Sequence, residues 1–455
     1  MFGIDRRMRS IWRRTIALGW PIAVDQTLAT LMRTVDVVVT GLFSPVAVAA
    51  VGLADLYAQL PLRIGLGLGA GTIALSSQDT GRGAAVTRDQ AITQALLLGA
   101  ALGVPFVLLG LLVSRPLIAI LGADTVVVRQ SGRYLGIVLA AAPMQIVLIV
   151  GSRALQGTGD TTTPMYINAG TNALNIVLTV VLGLGIRVVP TLGIVGVGIA
   201  TAISRTLGAT VITATIAGPR TEASLARPRN LTVTRQLVRV SVPNFAEGLS
   251  TSLANFPLNA LILLFGTEAN AAYHIGSRIF RQLTGPFYRS VYTVASIIVG
   301  QSLGEGDPDQ ARFAATAILL FSVGVLSVVG ASMFAGAEQV VRVFTRDPTT
   351  IGYAVDFTRA FAVSMVFVGV FYPLAGTLVG AGDTRTPFYA RFVGVVAFLL
   401  CGSYLLGVSL GLGLFGVYVG IVLSFVSWAL IVVAGFRWGG WQELAVQMIA
   451  DRSDT

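Results

Sequence analysis

The sequence predicts an all-α integral membrane protein of twelve transmembrane helices in two homologous six-helix lobes. Three observations predict it. Of 455 residues, 54% are hydrophobic and only 11% charged, whereas about a quarter of a soluble chain is charged. Runs such as Ala91 to Val113 are apolar on every face, as a spanning helix of about 20 residues requires; a membrane β-barrel shows ~10-residue alternating segments instead. The third observation is a repeat: Gly157-Thr158-Gly159-Asp160-Thr161-Thr162-Thr163-Pro164 returns as Gly380-Ala381-Gly382-Asp383-Thr384-Arg385-Thr386-Pro387.

Taken in order, the first span (16–40) follows the basic stretch Arg6 to Arg14 and contains Pro21, Asp25, Arg33 and Asp36. The second (46–76) carries Asp55 and the run Gly65-Leu66-Gly67-Leu68-Gly69-Ala70, which spells a dinucleotide fingerprint without the preceding strand that such a site needs. Small residues for close helix packing explain it better. Spans three (91–113) and four (134–156) are apolar. The fifth (164–186) opens at Pro164 and sets Asn168, Asn172 and Asn175 on one face at i, i+4 and i+7. The sixth (193–216) holds Thr201, Ser204 and Arg205. The second half supplies 241–265 with Glu247, 270–299 with His274, Arg278 and Arg289, then 313–335, 354–379, 388–408 and 413–436.

Arginines concentrate in Arg6 to Arg14 and Arg220 to Arg239, so the positive-inside rule puts both termini in the cytoplasm. The inventory also excludes chemistries. A single cysteine, Cys401, closes no intrachain disulfide, and a single histidine, His274, is too little for a zinc site. Every basic residue is arginine, which removes lysine chemistry. The net charge of +10 lies between spans and not on a polar domain, so it does not indicate nucleic acid.

The repeat extends beyond one loop, with equivalents 222 or 223 residues apart. Gln78, Gly81 and Gly83 recur as Gln301, Gly304 and Gly306, Ala49-Ala50 as Ala271-Ala272, and the stretch Pro21 to Asp25 as Pro243 to Glu247. The organisation expected is an N-terminal lobe (1–217), a cytoplasmic linker (218–240) and a C-terminal lobe (241–455). Six spans per half, both entering from the same side, make a parallel repeat about an axis along the membrane normal.

With its doubled Gly-x-Gly-Asp-Thr-x-x-Pro loop, its doubled Gln-x-x-Gly-x-Gly loop, and Asp36 and Gly41 at the end of the first span, the chain resembles the multidrug and toxic compound extrusion (MATE) family over nearly its whole length. The resemblance implies a MATE-like fold and a secondary active antiporter of the plasma membrane. Such a protein exports amphipathic, often cationic organic compounds in exchange for protons or sodium ions. It implies no cofactor beyond the coupling ion, no enzymatic activity, small-molecule and lipid-bilayer partners, and function as a monomer. A lipid-linked oligosaccharide flippase of the same superfamily is the alternative, kept open by Arg33, Arg63, Arg153, Arg205, Arg278 and Arg359. A membrane-embedded enzyme is the remote rival, for the sequence offers no Asp-rich metal motif, Ser/His pair or thiol nucleophile.

Ionisable groups deep in spans are costly, from about 2.5 kcal/mol upward, and each is a functional hypothesis. By resemblance Asp36 is the coupling carboxylate, where a sodium ion would be the only metal. Its alternative is an ion pair with Arg33; an Arg33 to Asp55 pair would leave it free. Asp25 and Glu247 are repeat-related acids, each four residues after a proline that loosens its helix. Both are ion-coupling candidates, Glu247 having Arg289 as a structural partner of comparable depth. Arg33, Asp55, Asn168, Asn172, Asn175 and Arg278 are cavity or relay candidates, the asparagines having interhelical hydrogen bonding as their plainer role. Gly157, Gly159, Asp160 and Pro164, with Gly380, Gly382, Asp383 and Pro387, are expected to form rigid corners, each aspartate capping the helix its proline starts.

Overall fold

The computed structural model describes residues 2–185, 190–229 and 231–453; Ile186, at the end of the expected fifth span, and Asn230, in the expected linker, lie outside them. Among the described residues every element is helical: α1 (Phe2–Phe43), α2 (Pro45–Gly81), α3 (Ala85–Leu112), α4 (Ser114–Ala119), α5 (Thr125–Ala140), α6 (Ala142–Thr158), α7 (Thr162–Leu184), α8 (Ile194–Ala217), α9 (Leu231–Leu263), α10 (Thr267–Gly304), α11 (Pro308–Ala335), α12 (Ala337–Val341), α13 (Pro348–Gly380), α14 (Arg385–Val393), α15 (Leu414–Trp438) and α16 (Trp441–Ser453). Eight helices are long and apolar enough to cross a bilayer, α14 with its π-helical continuation counting as one, and the bent pair α5 and α6 makes a ninth. The long helices α1, α9 and α10, whose lengths of 42, 33 and 38 residues exceed the ~20 needed, bring the spans to twelve.

Three elements differ from the sequence reading. The fourth span begins earlier, at Thr125, and bends by 46° between α5 and α6. Pro143 lies two residues past the bend and has no N–H for the Leu139 carbonyl. Residues 231–240, expected as linker, are the first turns of α9. Val233, Gln236, Leu237 and Val240 are buried, which is the stripe of an amphipathic helix disguised in sequence by its arginines. The eleventh span leaves α-geometry after Val393: Gly394–Gly402 and Leu405–Ser409 are π-helical, whereas its repeat counterpart α7 is an α-helix throughout.

The chain forms two compact units. Residues 24–80 and 84–241 make the N-terminal unit; residues 2–23, 81–83 and 242–453 make the C-terminal unit. The expected lobes 1–217 and 241–455 thus trade segments, and the crossing points lie beside repeat-related prolines, Pro21 in α1 and Pro243 in α9. Within the C-terminal unit the start of α1 is fixed by Trp12, whose Nε1 donates to the Ala317 carbonyl at 2.8 Å, and by Gly19, whose carbonyl accepts from Ser290 Oγ at 2.6 Å. Within the N-terminal unit the start of α9 is fixed by Thr234, whose hydroxyl donates to Gln94 Oε1 at 2.7 Å.

Both units reproduce the repeated turns. Asp160 N donates to the Leu155 carbonyl at 3.1 Å and Asp383 N to Leu378 at 2.8 Å; Ala84 N donates to Asp79 at 2.9 Å and Asp307 N to Ser302 at 3.0 Å. Gly159 and Gly382 sit at φ 97° and 92°, the left-handed region that closes a helix C-terminus. Asp160 Oδ1 accepts from Thr162 N and Thr163 N at 3.2 and 2.9 Å; Asp383 Oδ1 accepts from Arg385 N and Thr386 N, both at 3.1 Å. Pro164 and Pro387 are buried in the following first turns. Gly157 and Gly380 are close-approach positions, where a Cβ would lie 2.7 Å from Ser76 Cβ and 2.5 Å from the Ser296 carbonyl oxygen.

Candidate functional site

In the N-terminal unit α1 and α7 are joined by two rungs at one register. Asn168 Nδ2 donates to Asp25 Oδ2 at 3.3 Å, and Thr179 Oγ1 donates to Asp36 Oδ1 at 3.1 Å. The donors are as far apart on α7 as the acids are on α1, about three turns, so both rungs use the same faces of the two helices. The asparagine stripe continues between them: Asn175 Nδ2 donates to Thr201 Oγ1 of α8 at 3.4 Å. Asn168 Nδ2 also reaches Ser152 Oγ at 3.5 Å. Asn172 is half-buried between the rungs and bonds to neither carboxylate.

Asp36 does not stand alone. Asp55 of α2 shares its electrostatic neighbourhood, and both acids interact with Arg205 of α8 as well as with Arg33. The sixth span therefore contributes a cation, Arg205, to this neighbourhood. On the α7 and α8 faces beside these charges, Asn175 Oδ1, Ser204 Oγ and Arg205 Nη1 are buried without a hydrogen-bond partner among the described residues. Such atoms are costly unless something polar meets them. No group of three or more His, Cys, Asp or Glu gathers among the described residues, so a metal ion here would depend on neutral oxygens beside Asp36, and Asn175 Oδ1 and the Thr179 hydroxyl are of that kind.

The C-terminal unit answers its own acid differently. Glu247 Oε1 stands 3.0 Å from Arg391 Nε as an ion pair and not an aligned hydrogen bond. Arg391 Nη2 donates to the Tyr372 hydroxyl at 2.6 Å, and its guanidinium lies over Trp428, Phe371 and Tyr372, 4.9, 5.2 and 5.3 Å from the ring centres. Cations over aromatic faces are held electrostatically. Arg391 is a partner of Glu247 that the sequence, which offered Arg289, did not reveal. Arg278 is exposed on α10. Thr179 was also missed, although it is readable as the next position of the stripe, one turn beyond Asn175.

The MatE family profile matches the chain twice, over residues 21–181 and 243–405, the two halves of the repeat. Among curated relatives, proteins named probable multidrug resistance protein NorM are 26% identical in Thermotoga maritima, over 69% of this chain and 68% of the relative, and 27% identical in Rhodopseudomonas palustris, over 94% and 93%. A crystal structure of MATE in the bent conformation has the same fold, with TM-score 0.87 at 22% identity, covering 100% of this chain and 99% of the other. A transporter of the MOP superfamily from Pyrococcus furiosus, described as having a binding pocket of reverse polarity, matches with TM-score 0.85 at 22% identity over 97% and 96%.

Proposed function

The chain belongs to the multidrug and toxic compound extrusion (MATE) family of multi-pass membrane transporters, and from that premise we propose that it is a secondary active antiporter exporting amphipathic organic cations in exchange for a proton or a sodium ion. The observation that carries the reading is the Asp36 to Thr179 contact of 3.1 Å, in a setting of charges and uncommitted polar atoms. A hydroxyl is neutral and does not satisfy a carboxylate's charge, so a carboxylate held by one hydroxyl remains open to a small cation. Asp25, held by the Asn168 amide, has the same property three turns away on the same helix face and serves as the second station. Glu247 is committed to Arg391, so coupling is weighted to the N-terminal half.

Neutralising Asp36 changes what its surroundings must balance. With the carboxylate charged, Arg205 and Arg33 are opposed by two acids; with a cation bound, only Asp55 opposes them. That redistribution biases the packing of α1 against α7 and α8, and alternating access follows as motion of one six-helix half against the other. Export is placed at the plasma membrane, with both termini cytoplasmic and the monomer as the working unit. Proteoliposomes loaded with a cationic dye, given a proton gradient and a sodium gradient in separate experiments, test the proposal. One of the two should drive concentrative transport; failure of both would sink it.

A further inference from the structure

We propose that the C-terminal unit contains a binding site for a small aromatic carboxylate, one ring bearing one negative charge, at the position where the N-terminal unit keeps its charged cluster.

A cavity of about 140 Å³ lies among α9, α10, α13, the π-helical segment and α15. An apolar cavity of roughly 150 Å³ accommodates benzene, so the volume is that of a single ring. Its walls are aromatic and mutually braced: Phe280 stacks on Phe361 with centroids 5.2 Å apart and meets Phe425 edge-on at 5.7 Å, and Phe425 meets Trp428 at 4.7 Å. The π-helix helps to shape it, since Val395 and Leu399 line the space. Gly394 lets Trp428 come closer than any side chain at that position would allow.

The repeat explains why this cavity is not another cation site. At 222 residues, the offset of the neighbouring Pro21 to Asp25 and Ala49-Ala50 equivalences, Asp36, Asp55 and Arg33 correspond to Leu258, Ser277 and Asn255; at 223 Asp36 would fall on Asn259, also neutral. Gly193 and Gly413 precede the last span of each half at φ 57° and 61°; counting on from them, Thr201, Ser204 and Arg205 correspond to Ile421, Ser424 and Phe425. Asn255, Ser277, Ile421, Ser424 and Phe425 all line the cavity. Both acids and both arginines of the N-terminal cluster have thus become neutral residues. One new charge enters: Arg281 lines the cavity, donates to Ser277 Oγ at 3.2 Å, and has no carboxylate partner among the described residues. Glu247, one turn before the lining residue Thr251, is already neutralised by Arg391. What remains is a ring-sized aromatic box with a single uncompensated guanidinium, and with the amide and hydroxyls of Asn255, Thr251 and Ser424 at its wall. A carboxylate satisfies a guanidinium through paired charge-assisted hydrogen bonds, and an ammonium there would be repelled.

The full chain in lipid nanodiscs, titrated separately with 4-fluorobenzoate, 4-fluorobenzylammonium and 4-fluorotoluene and followed by fluorine NMR of the probe, tests the site. Saturable binding of 4-fluorobenzoate is expected, at least tenfold tighter than either other probe. Arg281→Gln should weaken it at least tenfold, and Ala254→Phe, which fills the cavity from α9, should abolish it. Benzoate affinity unchanged in both variants would overturn the location. Equal binding of the ammonium or of toluene by the unaltered protein would overturn the anionic class, equal toluene binding marking a pocket for apolar matter such as lipid chains.

Discussion

Glu247 meets Arg391 in the C-terminal unit at the same place in the repeat where Asp25 meets Asn168 in the N-terminal unit. Each acid lies four residues past its proline, and each partner lies four residues past the proline that follows a Gly-Asp-Thr corner. One substitution, asparagine for arginine, separates a carboxylate that can still take a cation from one that holds its cation permanently.

The pair therefore makes a stability prediction. Removing one partner of a largely buried ion pair leaves a charge stranded, which costs about 3 kcal/mol or more. Arg391→Leu should lower the melting temperature of the purified protein markedly, while Arg391→Leu combined with Glu247→Leu should recover most of the loss. Equal destabilisation by the single and double variants would show that the aromatic faces around Arg391 matter and the acid does not.

At Asp36 the expected loss is functional. Asp36→Asn keeps the shape and can still accept from Thr179, but carries no charge to exchange. Gradient-driven efflux from proteoliposomes should fall to background with expression and dye binding retained, and normal concentrative transport by this variant would remove Asp36 from the coupling step. Thr179→Val should slow efflux severalfold and Thr179→Ser should not.

Exchange of one coupling cation for one monovalent cationic substrate should be electroneutral. The membrane potential supplies about 2.3 kcal/mol per charge per 100 mV, and that contribution cancels when one positive charge enters as another leaves. Dye efflux measured with the voltage clamped by potassium and valinomycin should be unchanged between clamped values, and should stop when the ion gradient is collapsed. A steep voltage dependence would mean that more than one ion moves per substrate.

Two glycines of α13 should respond oppositely to alanine. At Gly380 a Cβ would lie 2.5 Å from the Ser296 carbonyl oxygen, so Gly380→Ala forces backbone apart and should cost about 1–3 kcal/mol. At Gly352 nothing lies within 4 Å, and Gly352→Ala should stabilise by up to about 1 kcal/mol through helix propensity. Thermal melts of both variants in detergent would check the contrast.

Much of this was legible in the sequence because it is local or repeated. Apolar runs set the spans, and the doubled loops set the two halves, since a left-handed glycine followed by a capping aspartate leaves a fixed spacing. The asparagine stripe pointed to the face of α7 that meets Asp25. The Arg391 partner of Glu247 was not legible, because pairing across helices depends on how each is rotated, and depth alone singled out Arg289. The π-helix left no sign either: Gly394 and Gly402 in an apolar run read like any packed span, and the close approach of Trp428 to Gly394 is visible only in the structure. Residues 231–240 were hidden by charge, their buried stripe interrupted by arginines that face outward.

The hydrogen bond from Ser290 to the Gly19 carbonyl, 271 residues back in the chain, has a consequence for biosynthesis. At about 5–20 residues per second, roughly 15–50 s pass between synthesis of Gly19 and synthesis of its partner. Through that interval the opening turns of α1 are made but cannot yet dock, because the unit they belong to has not left the ribosome. Turns made early are thus docked late, and a chain stalled after its sixth span would leave them waiting as a target for membrane quality-control proteases.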